Sequence, residues 1–255
     1  MKKIMMLVMV VMLMLGVSGQ AMAAFSDGDL IRVVYSTAGT NEVATDLGSI
    51  ANLTSASSTL VNFNTNNFNF ASLGAGANAS NSYVVYYSLT LSPNPKNQAW
   101  LSGPAGGQTT AKSSWTSFSS AAHTVNGQYQ LTGGGSSQVT LATNDPNSFY
   151  QQLEGGGSLV GYMKGFIPTS SSAIATASLA NLATNGYVDQ VLYYYGLPSG
   201  INGTSTGLNV STIRTMADGS TVLNPGAPAT PIPAAAYLFG SGLLGLVGLR
   251  RKMAA

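Results

Sequence analysis

The segment DLIRVVYS, Asp29 to Ser36, sets the reading of the chain. Side chains of a strand alternate between faces, so Ile31, Val33 and Tyr35 share one face and Leu30, Arg32 and Val34 the other. Segments of the same kind return along the chain: NEVATDLGS (41–49), TLVNF (59–63), YVVYYSLTL (83–91), QAWLSG (98–103), SLVGYMKGF (158–166) and YVDQVLYYYGL (187–197). Each is short, rich in β-branched and aromatic residues, and bounded by Gly, Asn, Ser or Pro, which is how strands are punctuated. STIRTMADGSTVLN (211–224) reads as a hairpin, with Asp218-Gly219 supplying the pair that a tight I′ turn requires.

Two stretches break this period. In SSWTSFSSAAHTVNGQY (113–129), Trp115, Phe118, Ala122, Val125 and Tyr129 recur at helical steps. NDPNSFYQQLEGGG (144–157) starts like a helix, with Asp145 as N-cap and Pro146 in the first turn; Phe149 and Leu153 stack one turn apart and Gly155 stops it. SSAIATASLANLAT (171–184) is a weaker helical pattern. FNTNNFNF (63–70) and SLGAGANASNS (72–82) read as polar loops or edge strands. Many short strands with one to three short helices predict a mainly β domain, a β-sandwich or jelly-roll-like single domain.

Both ends differ from this body. Residues 1–23, MKKIMMLVMVVMLMLGVSGQAMA, carry Lys2 and Lys3, an apolar run from Ile4 to Val17, and Ala21 and Ala23 in an A-x-A arrangement. That is the order of a secretory signal peptide, cut by signal peptidase after Ala23. At the other end Pro225, Pro228, Pro231 and Pro233 make an extended spacer over 225–233. Residues 234–249 are apolar or small throughout, roughly 24 Å as a helix against a hydrocarbon core of about 30 Å. Arg250, Arg251 and Lys252 in the stub 250–255 stay cytoplasmic by the positive-inside rule.

With both ends removed, the body 24–224 holds five cations against eight acids, a net −3, so the chain's formal +2 belongs to its ends. Such a body has no electrostatic footprint for a nucleic-acid partner. Charged residues make up 7% of the chain, far below the ~25% of ordinary globular proteins. With no cysteine, nothing is stapled.

The tail resembles the PEP-CTERM sorting signal of Gram-negative bacteria, in which a Pro-x-Pro signature, a short glycine-bearing span and an Arg-rich end follow one another. Pro231, Ile232, Pro233 and Ala234, then AAYLFGSGLLGLVGL, then Arg250, Arg251 and Lys252 keep that order. Ile232 replaces the acid of the common Pro-Glu-Pro form, so the likeness is to the Pro-aliphatic-Pro-Ala variants. The resemblance implies that an exosortase, an integral-membrane processing enzyme, removes the tail. The body would then pass to the cell surface or extracellular exopolysaccharide matrix. The start of the body, FSDGDLIRVVYS with NEVATDLGS, also resembles uncharacterised domains that carry such tails.

Catalytic signals are thin. Gly240, Gly242 and Gly245 fit G-x-G-x-x-G, but only ten residues follow Gly245 and none is acidic, which the dinucleotide motif needs. His123 is the sole histidine and falls in the helical segment. Asp27 and Asp29, with Glu42 or Asp46 across a hairpin, are weak candidates for a Ca²⁺ site, which takes six to eight oxygens. No motif selects a carboxylate pair for glycoside hydrolysis. The expectation is a non-enzymatic exported module without a cofactor, structural or weakly glycan-binding. The alternative is a secreted polysaccharide-acting hydrolase.

Overall fold

The computed structural model describes residues 24–55, 60–63, 66–91, 98–105, 115–155, 161–163, 175–196 and 207–225. The signal peptide 1–23, and the sorting signature, span and basic stub within 226–255, lie outside the described residues.

Strands β1 (Asp29–Ser36) and β2 (Asn41–Ser49) form the first hairpin, and helix α1 (Ile50–Ser55) follows directly. A short strand β3 (Val61–Phe63) precedes 3₁₀ turns at Phe70–Leu73 and Ala79–Asn81. Then come β4 (Ser82–Thr90), β5 (Gln98–Gly103), helix α2 (Trp115–Gly133) and β6 (Gln138–Ala142). A single π turn at Tyr150–Glu154, β7 (Thr176–Ser178), α3 (Leu182–Asn185), β8 (Tyr187–Gly196), β9 (Leu208–Met216) and β10 (Thr221–Leu223) complete the order.

The mainly β class holds, but the strands make one antiparallel sheet rather than two stacked ones. Its order is β3-β10-β9-β8-β5-β4-β1-β2-β6. β4 pairs along one edge with β1, and along the other with β5 at Tyr87–Thr90 and β7 at Tyr83–Val85. Both faces of this sheet are covered. Ile31, Val33 and Tyr35 share a cluster with Val85, Tyr87, Leu101 and the buried side of α2. Leu30 and Val34 share the second with Val84, Tyr86, Trp100, Ile213 and Leu223. That is why every residue of β1 is buried. A strand covered on both sides needs apolar residues at odd and even positions alike.

The second cluster is enclosed because the sheet curls. Five strand spacings separate β1 from β10, about 24 Å in a flat sheet. Yet the Arg32 guanidinium on β1 donates to the Gly219 carbonyl at 2.8 Å and to Thr221 Oγ1 at 2.9 Å. Its other nitrogen donates to Thr45 Oγ1 at 2.9 Å and to the Asn66 carbonyl at 2.6 Å. The Tyr86 hydroxyl crosses the same interior to Thr215 Oγ1 at 2.7 Å and Thr221 Oγ1 at 3.0 Å. The segment after β3 also reaches β6: Asn66 Nδ2 donates to Ser137 Oγ, and Gln138 Nε2 on β6 to the Asn66 carbonyl.

Several local expectations change in the structure. The β9–β10 hairpin forms, but only Gly219 takes a positive φ, of 83°. Its amide donates to the Met216 carbonyl and Ser220 O accepts from the Met216 amide, so the loop is longer than a I′ turn. Asp145 closes a turn onto the Asn147 amide instead of capping a helix. Phe149 and Leu153 are buried as the helical spacing implied, and Gly155 ends the turn at φ 76°. Tyr162 and Met163 are helical where a strand was expected. The polar stretch 63–70 hides Phe68, which is buried edge-on to Phe70 and faced by the Arg32 guanidinium.

Replacing Arg32 by Ala removes the donors of the Gly219 and Asn66 carbonyls, and an orphaned buried acceptor costs about 1–3 kcal/mol. Urea denaturation should register a loss of roughly 2–5 kcal/mol for Arg32→Ala. Arg32→Lys should recover less than half of it, because an ammonium lacks the planar fork that serves four acceptors. Full recovery by lysine would contradict the keystone role.

Candidate functional site

Three groupings of polar side chains stand out from the fold, and they differ in access. The first lies where the chain enters the sheet. Asp46 Oδ2 accepts from the Phe25 amide at 2.8 Å and its Oδ1 from the Gly48 amide at 2.7 Å. Asp29 Oδ2 accepts from the Ser26 amide at 2.7 Å. A register shift in the β1–β2 ladder between Asp29 and Ile31 brings these two carboxyls into contact. Burial first, then Asp46, raises Asp29 to about 6.

The Ca²⁺ candidates are only partly brought together. Asp29 gains Asp46, while Asp27 accepts the Leu91 amide with both oxygens. Glu42 lies four residues along β2, about 13 Å away at strand rise. Among the described residues no three acidic or histidine side chains assemble a cluster that could hold a metal ion.

Glu42 is the second grouping. It is fully buried on the α2 side of the sheet. The Tyr129 hydroxyl on α2 donates to its Oε1 at 2.6 Å, the Phe149 amide to the same oxygen at 2.8 Å, and the Tyr150 amide to Oε2 at 2.9 Å. Glu42 therefore holds the start of the π turn and α2 against β2. Burial pushes its carboxyl up to about 7, while the three donors pull the other way. A carboxyl with a raised pKa in a cleft would suggest acid–base chemistry, but this one is sealed. Sequence reasoning placed it with the aspartates because it sees hairpin proximity, not position along a strand.

The third grouping is open. A cleft of about 360 Å³ runs along the outer side of α2, lined by Thr116, Ser117, Ser120, Thr124, Gln152 and Tyr162. The helix positions it: Phe118, Ala122, Val125 and Tyr129 turn to the sheet, which leaves the hydroxyl residues outward. Gln152 is fixed from the π turn through a 2.7 Å bond to the Pro146 carbonyl. Tyr162 keeps 40% of its surface exposed. These lining side chains offer hydroxyls, an amide and an aromatic ring, and none is charged. The three-to-four spacing of Thr116, Ser120 and Thr124 carried the signal, but sequence reasoning attended only to the apolar face.

The other singled-out residues resolve simply. His123 is exposed on α2. Tyr86, Tyr87, Trp100, Tyr193 and Tyr195 on β4, β5 and β8 are buried and belong to the core. Ala21, Ala23, Pro231, Ile232, Pro233, Ala234, Arg250, Arg251 and Lys252 lie outside the described residues. No family model, curated protein or solved structure matches the chain.

Glu42 gives the domain an unusual pH response. Its carboxyl moves from an ordinary 4.5 to about 7 on folding. Across that window the folded state keeps a proton that the unfolded chain has released, so stability falls as pH rises and levels off above it. Asp29, moved from 3.8 to about 6, acts in the same direction. Denaturation midpoints measured from pH 4.5 to 7.5 should fall, Glu42 contributing up to about 3 kcal/mol. Glu42→Gln should remove roughly half of that fall, chiefly its part above pH 6, the rest belonging to Asp29, and a slope unchanged in the variant would exclude Glu42 as a source.

Proposed function

We propose that this protein is an exported, non-catalytic module of the cell surface or exopolysaccharide matrix, released from the membrane by an exosortase-type enzyme. One observation carries delivery: the order of Pro231-Ile232-Pro233-Ala234, the span 234–249 and Arg250-Arg251-Lys252, behind a leader ending in Ala21-x-Ala23. The span is short for a lasting anchor.

For the body, the cleft on α2 supports weak recognition of neutral glycans. Hydroxyl and amide groups exchange hydrogen bonds with sugar hydroxyls, and an exposed tyrosine ring packs against the apolar face of a sugar. Among the described residues its lining carries no carboxylate, and Glu42 is buried away from it, which supports binding over hydrolysis.

Intact-mass measurement of surface-released protein should find a chain without Arg250, Arg251 and Lys252, and Pro233→Ala should leave a longer membrane-bound precursor. A released form ending at Ala255 would refute the sorting reading. Separately, neutral hexa-saccharides should perturb the amide resonances of Thr116–Thr124 and Gln152, and Tyr162→Ala should abolish the perturbation. Equal perturbation in that variant would remove the cleft as the binding site.

A further inference from the structure

The two walls of the open cleft meet on one buried carboxyl. The cleft lies between the outer side of α2 and Gln152 of the π turn, and these two elements pack on each other. Beneath them the Tyr129 hydroxyl of α2 donates to Glu42 Oε1 at 2.6 Å. The Phe149 and Tyr150 amides donate to Oε1 and Oε2 of the same side chain at 2.8 and 2.9 Å. Gln152 follows Tyr150 by two residues, and Thr124 precedes Tyr129 by five, about 7.5 Å along a helix. Another tie between the walls, from Asn147 Nδ2 to Gln128 Oε1, is long at 3.5 Å.

Glu42 is held firmly on its own side. It lies in β2 between Tyr35 of β1 and Leu141 of β6, and its side chain is wholly buried. The two amides that it receives open the π turn, where a helix leaves its first N–H groups without internal partners. Glu42 supplies those partners, so the start of the turn is fixed to the sheet through this one side chain.

Three donors on two oxygens match a carboxylate, which only accepts. A protonated carboxyl gives one of those places to its own hydrogen. The Tyr129 hydroxyl can turn to accept it, but the two amide hydrogens are set by the backbone. Hydrogen bonds to an ionised acceptor are also about twice as strong as neutral ones. The hold on the turn is therefore tightest when Glu42 is charged, although burial pushes its carboxyl up to about 7. The groups that face it are Tyr129 of α2, Tyr87 of β4, Tyr35 of β1 and Asp145 ahead of the turn. Behind Tyr35 stand Tyr150 and Glu154 of the turn. None of these is a cation.

We propose that Glu42 is the positioning residue of the cleft: it fixes the turn that carries Gln152 against the helix face that carries Thr116, Ser120 and Thr124. It touches no ligand and acts through Tyr129 and the Phe149 and Tyr150 amides. The inference rests on the cleft as the recognition surface and adds the group that sets the spacing of its two walls.

The first test needs no ligand. In NMR titrations of the full chain in detergent micelles, the Glu42 carboxyl carbon and the Gln152 side-chain amide should share one midpoint. Glu42→Gln should abolish the Gln152 response. Tyr129→Phe removes a donor that lowers Glu42, so both midpoints should rise together. His123 is exposed on the same helix, and His123→Gln should leave both in place. A Gln152 resonance that stays still while Glu42 titrates overturns the proposal. So does a Gln152 midpoint that fails to follow Glu42 in Tyr129→Phe. The second test uses a neutral hexasaccharide of β-linked glucose as probe. Binding should be roughly fivefold tighter at about pH 8 than at about pH 5.5, and Glu42→Gln should bind weakly at both. Equal affinity at both in the unsubstituted chain overturns the proposal. A probe that never binds, with the shared Gln152 midpoint intact, removes the recognition reading alone.

Discussion

Arg32 is the constraint on which the curl depends. A guanidinium buried in a sheet interior must find acceptors for its donors or forfeit several kcal/mol. Here its four hydrogen bonds end on neutral oxygens from β2, the 66–68 segment, the β9–β10 turn and β10. These elements are far apart along the strand order, so finding acceptors for the two terminal nitrogens of Arg32 and bending the sheet are one event, while its Nε has no hydrogen-bond partner. Burial lowers the pKa of Arg32, and the Phe68 ring 5.4 Å away gives the cation a further favourable neighbour. The curl in turn encloses the second apolar cluster and lets Tyr86 reach Thr215 and Thr221.

The opposite face is organised by a buried carboxyl. Glu42 receives α2 through Tyr129 and the π turn through two amides. Arg32 on one face of the sheet and Glu42 on the other thus each gather elements from separate parts of the chain. With so few charged residues available, buried ones that each meet three or four partners specify the arrangement more sharply than apolar contacts alone, which tolerate sliding. Asp189 and Arg214 form the surface counterpart, a 2.6 Å pair across β8 and β9 stacked on Tyr187.

This division leaves the outside of α2 free for contact. The helix spends its aromatic residues on the sheet and presents hydroxyls outward, with Gln152 and Tyr162 closing the cleft. At the entry corner the same helix covers Phe25 through Tyr129 and Gln130. One element therefore joins the seat of Phe25 to the open surface of the body.

Period-two patterning placed β1, β2, β4, β5 and β8 because alternation is a local property of the backbone. The helical spacing of Phe118, Ala122, Val125 and Tyr129 placed α2 and its buried face for the same reason. The targeting role proposed for both ends likewise rests on contiguous residues alone. Local pattern could not tell one curled sheet from two, since both bury alternate residues and differ only in which strands share hydrogen bonds. It could not show that polar 63–70 hides Phe68 under Arg32, or that Glu42 and Asp46, on one strand, serve different sites. Nor could it assemble the cleft, whose Gln152 and Tyr162 stand far along the chain from Thr116. Those outcomes follow from contacts between residues distant in sequence, set by strand register and by the need to satisfy buried charge, and only the tertiary structure decides them.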